Sequence, residues 1–247
     1  MTSDSSKPRR ILLTLDAMGD ATVMIDLAVE LAVALNARVH SQFVEDIDLL
    51  RIADLPCTRE ITLSSASVRP MDANSILRSL QNLSAQSREY LNRIADQASV
   101  QWSFNIVRGR RIESGLDESE EYDLTIIGQS GTRHAVRSIN QRRKRILLID
   151  GKASKMRQAL KLIEKLSLVS SIELTVLERE HKIYNRVLDK IQNGLDILIN
   201  PSRAYQVDML SRSGSERPDY VIAMRHQSLL MLREIVRESN CPVILVS

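Results

Sequence analysis

Short apolar runs alternate with helical stripes of apolar residues along most of this chain. The first run, residues 10–16, reads Arg-Ile-Leu-Leu-Thr-Leu-Asp, and such a run is typical of a parallel strand that is buried on both faces. Behind it, apolar residues recur every four positions, at Val23, Leu27, Leu31 and Leu35. This spacing predicts a helix over residues 21–35. Strands that alternate with helices predict an α/β fold, with a parallel sheet covered on both faces.

The chain begins this alternation twice. Residues 145–150, Arg-Ile-Leu-Leu-Ile-Asp, repeat the pattern of residues 10–16. In the first half we predict strands over residues 11–15, 38–44, 101–107 and 123–127. In the second half we predict them over residues 145–150, 172–177, 195–199, 219–223 and 241–246. An internal repeat of this kind predicts two tandem copies of one α/β unit, residues 9–143 and residues 144–247.

The two units differ in two places. Residues 45–72 have no clean period, so unit 1 carries an insertion, and its apolar content predicts a helix that covers a sheet edge, a ligand site or a partner. Unit 1 also lacks a separate fifth strand. Only residues 132–144 lie between its fourth predicted strand and the opening strand of unit 2, which begins at residue 145. Two alternatives stay open. Either residues 146–149 form the missing strand of one unit and are then not available to the sheet of the other, or one of the two sheets is a strand short.

Composition narrows the classes of partner. The chain has 247 residues, a net charge of +3 and 3% aromatic residues, which favours neither nucleic acid nor a membrane surface. No stretch approaches the ~20 apolar residues of a membrane span. Cys57 and Cys241 are far apart without CxxC spacing, which is typical of a reducing compartment. The four histidines form no pair at metal-ligand spacing. We therefore expect a cytoplasmic protein without a metal.

Together, the two openings and four further stretches resemble the tandem universal stress proteins. The four stretches are Phe43-Val44-Glu45-Asp46, residues 102–109, residues 123–131 and the closing Cys-Pro-Val-Ile-Leu-Val. The resemblance covers residues 9–247. It implies two flavodoxin-like (adenine-nucleotide-alpha-hydrolase-like) units, each with a parallel five-stranded sheet, paired as a pseudo-dimer within the chain or in a homodimer. Nucleotide-binding members hold ATP with a loop of the form Gly-x2-Gly-x9-Gly-Ser/Thr and with an aspartate at the end of the first strand.

Part of that loop is present in unit 1. Gly128 and Gly131 match its first two glycines, but Gln141-Arg142 stands where the family has Gly-Ser or Gly-Thr. If the missing part supplies two phosphate contacts of about 1.5 kcal/mol each, binding weakens on the order of a hundredfold. Arg133 and later arginines could restore some of this by pairing with phosphate. The alternative interpretation of the two glycines is a tight turn between a strand and a helix.

Two further positions match the family's nucleotide pocket. Asp16 corresponds to the aspartate that faces adenine or ribose, and Val44 to a residue that lines the adenine pocket. The alternatives are a helix N-cap for Asp16 and ordinary core for Val44. In unit 2 the counterpart Asp150 has no glycine loop opposite it, which favours an N-cap there. The resemblance therefore implies ATP or AMP in unit 1 and no nucleotide in unit 2.

No motif of an enzyme is present: the chain has no GxSxG, HExxH or GxxxxGK[ST] sequence. We therefore expect a protein that acts by binding rather than by turnover. One hypothesis is a stress-response protein that binds adenine nucleotide weakly through unit 1. The alternative is a nucleotide-independent interaction module that uses residues 45–72 or the tandem surface to bind an unknown protein.

Overall fold

The computed structural model describes residues 9–17, 19–56, 58–62, 67–128, 144–149, 153–168, 171–177, 197–202 and 218–247. Its strands are β1 (Arg9–Leu15), β2 (Ala37–Asp46), β3 (Arg59–Thr62), β4 (Ser67–Pro70), β5 (Trp102–Gly109), β6 (Leu124–Ile127), β7 (Lys144–Ile149), β8 (Ile172–Leu177), β9 (Ile197–Ser202), β10 (Tyr220–Met224) and β11 (Val243–Val246). Its helices are α1 (Ala21–Leu35), α2 (Ile47–Ala53), α3 (Ala73–Gln97), α4 (Arg111–Glu118), α5 (Ala153–Ser167) and α6 (Leu229–Glu238), and a 3-10 turn, Ser119–Glu121, follows α4.

Nine of these strands form one mixed sheet, in the order β5-β2-β1-β6-β11-β10-β7-β8-β9. The four strands before residue 128 are parallel to one another, and so are the five strands after residue 143. The two sets meet where β6 runs antiparallel to β11. We expected a parallel five-stranded sheet in each unit, or one sheet a strand short; the described residues form one continuous mixed sheet, with four strands in the first set and five in the second. β7 pairs with β8 and β10, so residues 146–149 belong with the second set of strands.

Helices cover both faces of this sheet. One apolar cluster joins α1, α3 and α5 to alternate residues of the strands, and a second joins α4 and α6 to the residues between them. In β7, for example, Ile146 and Leu148 belong to the first cluster and Leu147 and Ile149 to the second. Because successive side chains of a strand point to opposite faces, the two clusters lie on opposite sides of the sheet.

Local signals fix the ends of α1. Asp20 is its N-cap, and the Asp20 carboxylate accepts from the backbone N–H groups of Thr22 and Val23. Asn36 ends the helix in the left-handed conformation, with φ 52°, which asparagine tolerates better than most residues. These two caps place α1 directly behind β1, where it packs against β1 and β2.

The insertion contains more than the helix that we predicted. β2 continues to Asp46, α2 follows at once and packs on α3, and β3 and β4 form an antiparallel hairpin that is not part of the large sheet. Ile61 and Val68 lie opposite each other in this hairpin and are 65% and 55% exposed. In the described part of the chain, no helix combines the length and the apolar character that a membrane crossing requires.

Candidate functional site

The carboxyl ends of β1, β2, β5 and β6 lie at one edge of the sheet, because these strands are parallel neighbours. Asp16 follows β1 and Gly128 follows β6. From β1 the chain moves outward to β2 and β5 and then returns to β6 on the other side of β1. This reversal makes the β1–β6 edge the topological switch point, where open α/β sheets bind their ligands.

Asp16 is buried at this edge and holds an ion pair. Its Oδ2 lies 2.8 Å from Nε of Arg111, and its Oδ1 accepts a hydrogen bond of 2.9 Å from the backbone N–H of Gly19. The residue is 8% exposed. Asp20, and not Asp16, caps α1. The carboxylate is therefore engaged within the protein at the position where the family resemblance implies a contact with nucleotide.

Sequence reasoning missed Arg111, the partner of Asp16. Arg111 is the first residue of α4 and is 8% exposed. Burial lowers the pKa of its guanidinium, while the charges of Asp16, Asp46 and Glu113 oppose that shift. Its Nη1 is buried and finds no hydrogen-bond partner among the described residues. The sequence did carry a signal for this residue: Arg108, Arg110 and Arg111 follow the third predicted strand and therefore lie at the carboxyl edge of the sheet.

Val44 lies beside Asp16 on the neighbouring strand. Leu15 of β1 pairs with Phe43 of β2, and Asp16 and Val44 follow these two residues. Val44 is fully buried and pairs with Val107 of β5 on its other side. The structure thus brings two of the predicted site residues together, with Val44 forming an apolar wall next to a buried charge.

Gly128 is in close contact with α1. A Cβ at this position would lie 3.3 Å from Cε of Met24, so the backbone after β6 runs close to the first turn of the helix behind β1. Gly131, Arg133 and Asp150 lie outside the described residues. The structure therefore gives a position for the first glycine of the predicted loop only.

Two further ion pairs surround the buried one. Glu45 at the end of β2 lies 3.1 Å from Arg108, and Asp48 in α2 accepts from both Nε and Nη2 of Arg110. The hydrogen bond from Arg110 lowers the pKa of the Asp48 carboxyl. Within the described ranges, no group of three His, Cys, Asp or Glu side chains could hold a metal ion.

Arg225 lies at the corresponding edge of the second half. This residue follows β10, as Gly128 follows β6, and its Nη2 lies 3.0 Å from Oε1 of Glu120. Its Nε also donates to Ser119 Oγ, in the 3-10 turn of the first half. Arg225 thus connects the two halves, and it occupies the place where a phosphate-binding loop would need glycine.

Comparisons with known proteins place the fold. No protein-family model matches the chain, and no curated protein sequence matches it. In structure the chain is similar to a universal stress protein from Archaeoglobus fulgidus, with 10% identity, a TM-score of 0.55 and 96% of each chain covered. A putative universal stress protein from Pseudomonas aeruginosa has 10% identity and a TM-score of 0.42, covering 97% of this chain and 93% of that one. The first of these likenesses shows that the chain has the α/β fold of a universal stress protein.

Proposed function

We propose that this chain is a tandem universal-stress-protein-like protein of the cytoplasm, which acts in the stress response by binding rather than by turnover. Its ligand in this proposal is adenine nucleotide, ATP or AMP, bound weakly at the switch point of unit 1. The observation that carries the proposal is the pairing of β1 with β6, which puts Asp16 and Gly128 at the ends of neighbouring strands.

A repeated hydrogen bond supports the tandem arrangement. The backbone N–H of Arg10 donates to Asp123 Oδ2 at 2.7 Å, and the backbone N–H of Arg145 donates to Asp219 Oδ2 at 2.8 Å. In each half the arginine belongs to the opening strand and the aspartate directly precedes a neighbouring strand, β6 or β10. Equivalent side chains thus make equivalent bonds in residues 9–143 and residues 144–247, as two copies of one unit should.

The ion pairs at the edge favour binding over turnover. A general base must reach the proton that it abstracts, and the carboxylates of Asp16, Glu45 and Asp48 are each paired with an arginine. A carboxylate oxygen that already accepts from a guanidinium is less available to accept a proton from water. In this proposal none of these three described carboxylates acts as a base that activates water, and a bound nucleotide is held without turnover.

Nucleotide binding is tested by titrating the full chain with Mg-ATP, AMP and adenosine in a thermal-shift assay. A ligand that binds only the folded state adds about 2.7 kcal/mol at 100 times its dissociation constant, which raises Tm by several degrees. We expect a saturable shift that Asp16→Asn reduces. The matched control is Asp150→Asn in unit 2, which should leave the shift unchanged. No shift at millimolar concentrations of any of the three ligands would overturn the nucleotide proposal.

A second candidate is a protein-interaction module that does not use nucleotide. Two observations favour it: the Asp16 carboxylate is already paired with Arg111, and the insertion exposes Ile61 and Val68 on its hairpin. Contiguous exposed apolar surface marks contact sites between proteins, and in this proposal Ile61 and Val68 contribute to such a surface. The partner in this proposal is an unknown protein or a second copy of the chain. A protein of this kind ignores ATP, so the same titration separates the two candidates.

A further inference from the structure

One nitrogen of the Arg111 guanidinium, Nη1, donates no hydrogen bond to any of the described residues. Its Nε is bound by Asp16, but its Nη1 is buried and has no hydrogen-bond partner. More than nine-tenths of the residue is shielded from solvent, so bulk water does not solvate this nitrogen. A buried charged donor without an acceptor is costly and rare in folded proteins. The position therefore suits an acceptor that comes from outside the chain.

The first turn of α4, which begins with Arg111, offers further donors. The first amide groups of a helix have no acceptor within it, and the N-cap residue Arg110 provides no side-chain cap. The Arg110 side chain donates to Asp48 instead. α4 makes its first backbone bond only at Ser114, whose N–H donates to the Arg110 carbonyl at 2.8 Å. An uncapped first turn carries partial positive charge and binds anions.

We propose that Arg111 and the first turn of α4 form a binding site for a compact oxyanion, a carboxylate or a phosphate group. Asp16 is the positioning residue: it holds the guanidinium through Nε and leaves Nη1 for the anion. Charge-assisted hydrogen bonds from a guanidinium and from helix amides are the contacts by which proteins bind such groups. The site needs no nucleoside, so it does not rest on the proposed function.

The other carboxylates near Arg111 interact with groups other than its Nη1. Asp46 Oδ1 accepts from the backbone N–H groups of Asp48 and Leu49, at the start of α2. Glu113 lies 3.9 Å from Arg233 of α6. These pairs leave Nη1 of Arg111 unused, while their negative charge keeps the affinity low. We therefore expect binding that saturates at millimolar concentrations of anion.

The experiment is a titration of the full chain with inorganic phosphate, sulfate and acetate at constant ionic strength. Isothermal titration calorimetry measures the binding of each anion. Phosphate and sulfate against acetate distinguish a phosphate site from a carboxylate site. The test variant is Asp16→Asn/Arg111→Gln, which replaces the ion pair by a neutral pair of similar shape. We expect its affinity to fall at least about tenfold, as the loss of a charge-assisted hydrogen bond predicts. The matched control, Arg110→Gln, removes the same charge one residue earlier and should leave the affinity within about twofold.

A single variant separates this site from the nucleotide proposal. Asp16→Asn leaves Arg111 without its counter-ion, so we expect severalfold tighter binding of phosphate or acetate. The nucleotide proposal expects the same variant to weaken adenosine binding. The anion site is overturned if none of the three anions gives a saturable signal, or if the double variant binds them as the wild type does. Either result leaves the adenosine titration to decide the nucleotide proposal by itself.

Discussion

The negative charge at the end of β1, on Asp16, is paired with the guanidinium of Arg111. Taking a carboxylate and a guanidinium out of water is expensive, and their attraction repays this cost only while both are present. Asp16 is also bound by the N–H of Gly19, which adds a second donor to the buried carboxylate. A ligand hydroxyl that approaches Asp16 must therefore compete with a guanidinium at 2.8 Å, and this competition is the physical reason to expect weak nucleotide binding.

We predict that Arg111→Gln lowers the free energy of unfolding by about 3–5 kcal/mol, because it removes the guanidinium that pairs with the buried Asp16 carboxylate. Urea unfolding followed by circular dichroism measures the change. Asp16→Asn/Arg111→Gln should recover most of the loss, since no unpaired charge remains. The control is Arg110→Gln at the exposed neighbouring pair, where the unfolding midpoint should not move. Equal effects of Arg110→Gln and Arg111→Gln would contradict a special role for the buried pair.

Tyr220 is a second buried group whose polar atom lacks a partner. Its ring lies in the cluster beneath α1, α3 and α5, and its hydroxyl makes no hydrogen bond in the described residues. We predict that Tyr220→Phe leaves the free energy of unfolding at pH 7 unchanged or raises it by up to about 1 kcal/mol, because it removes an unsatisfied hydroxyl and keeps the ring. Urea unfolding at pH 7 decides this, and a loss of more than about 1 kcal/mol would show that the hydroxyl is satisfied.

The same residue predicts how stability depends on alkaline pH. Burial raises the pKa of the Tyr220 hydroxyl, and the charges of Glu30 and Asp219 raise it further. The folded state therefore holds this proton more tightly than the unfolded state, whose pKa is near 10. The contribution of this proton to the free energy of unfolding is complete below pH 10 and is lost as the pH rises above 10. Above pH 10 we expect the unfolding midpoint of the wild type to fall more steeply than that of Tyr220→Phe.

At the scale of elements, α4 reaches the sheet because of one glycine. A Cβ on Gly115 would lie 3.0 Å from Oγ1 of Thr14 and 3.1 Å from Cδ1 of Ile127. Alanine favours a helix over glycine by about 1 kcal/mol, but overpacking of this kind costs about 1–3 kcal/mol. The close approach of α4 to β1 is what brings Arg111 within reach of Asp16.

We predict that Gly115→Ala destabilises the protein by about 1 kcal/mol, the difference between the packing cost and the gain in helix propensity. The control in the same helix is Asp117→Ala, whose side chain is exposed and which should be neutral or slightly stabilising. Thermal unfolding compares the two variants. A Gly115→Ala variant as stable as Asp117→Ala would show that α4 can move away from the sheet without cost.

Periodicity predicted the regular elements well and the irregular ones poorly. The four-residue stripe at residues 21–35 predicted α1, because this helix buries one continuous face. The hairpin of β3 and β4 had no such signal, since Ile61 and Val68 are exposed and bury no face. Arg111 was not predicted for another reason: its partner, Asp16, directly follows β1, and only the packing of α4 on β1 brings the two together.

At the scale of the whole molecule, the two halves share a core. The backbone pairing of Ile126 with Ile244 joins β6 to β11, and both side chains belong to the apolar cluster that also contains α1 and α5. Lys144 forms an ion pair with Glu30 of α1 on the same side of the sheet. Because one cluster crosses the junction, neither half can lose its packing there without exposing apolar surface of the other.

We therefore predict that the two halves unfold together. Trp102 is the only tryptophan of the chain and lies in β5, the strand of the first half farthest from the junction. Ile244→Ala removes a fully buried side chain from the second half and should cost about 2–5 kcal/mol. If the chain unfolds as one unit, this variant lowers the urea midpoint of Trp102 fluorescence by as much as the midpoint of circular dichroism. The control is Leu230→Ala, at an exposed position of the second half, which should move neither midpoint. A Trp102 midpoint that stays at the wild-type value while circular dichroism shifts would show that the first half folds by itself.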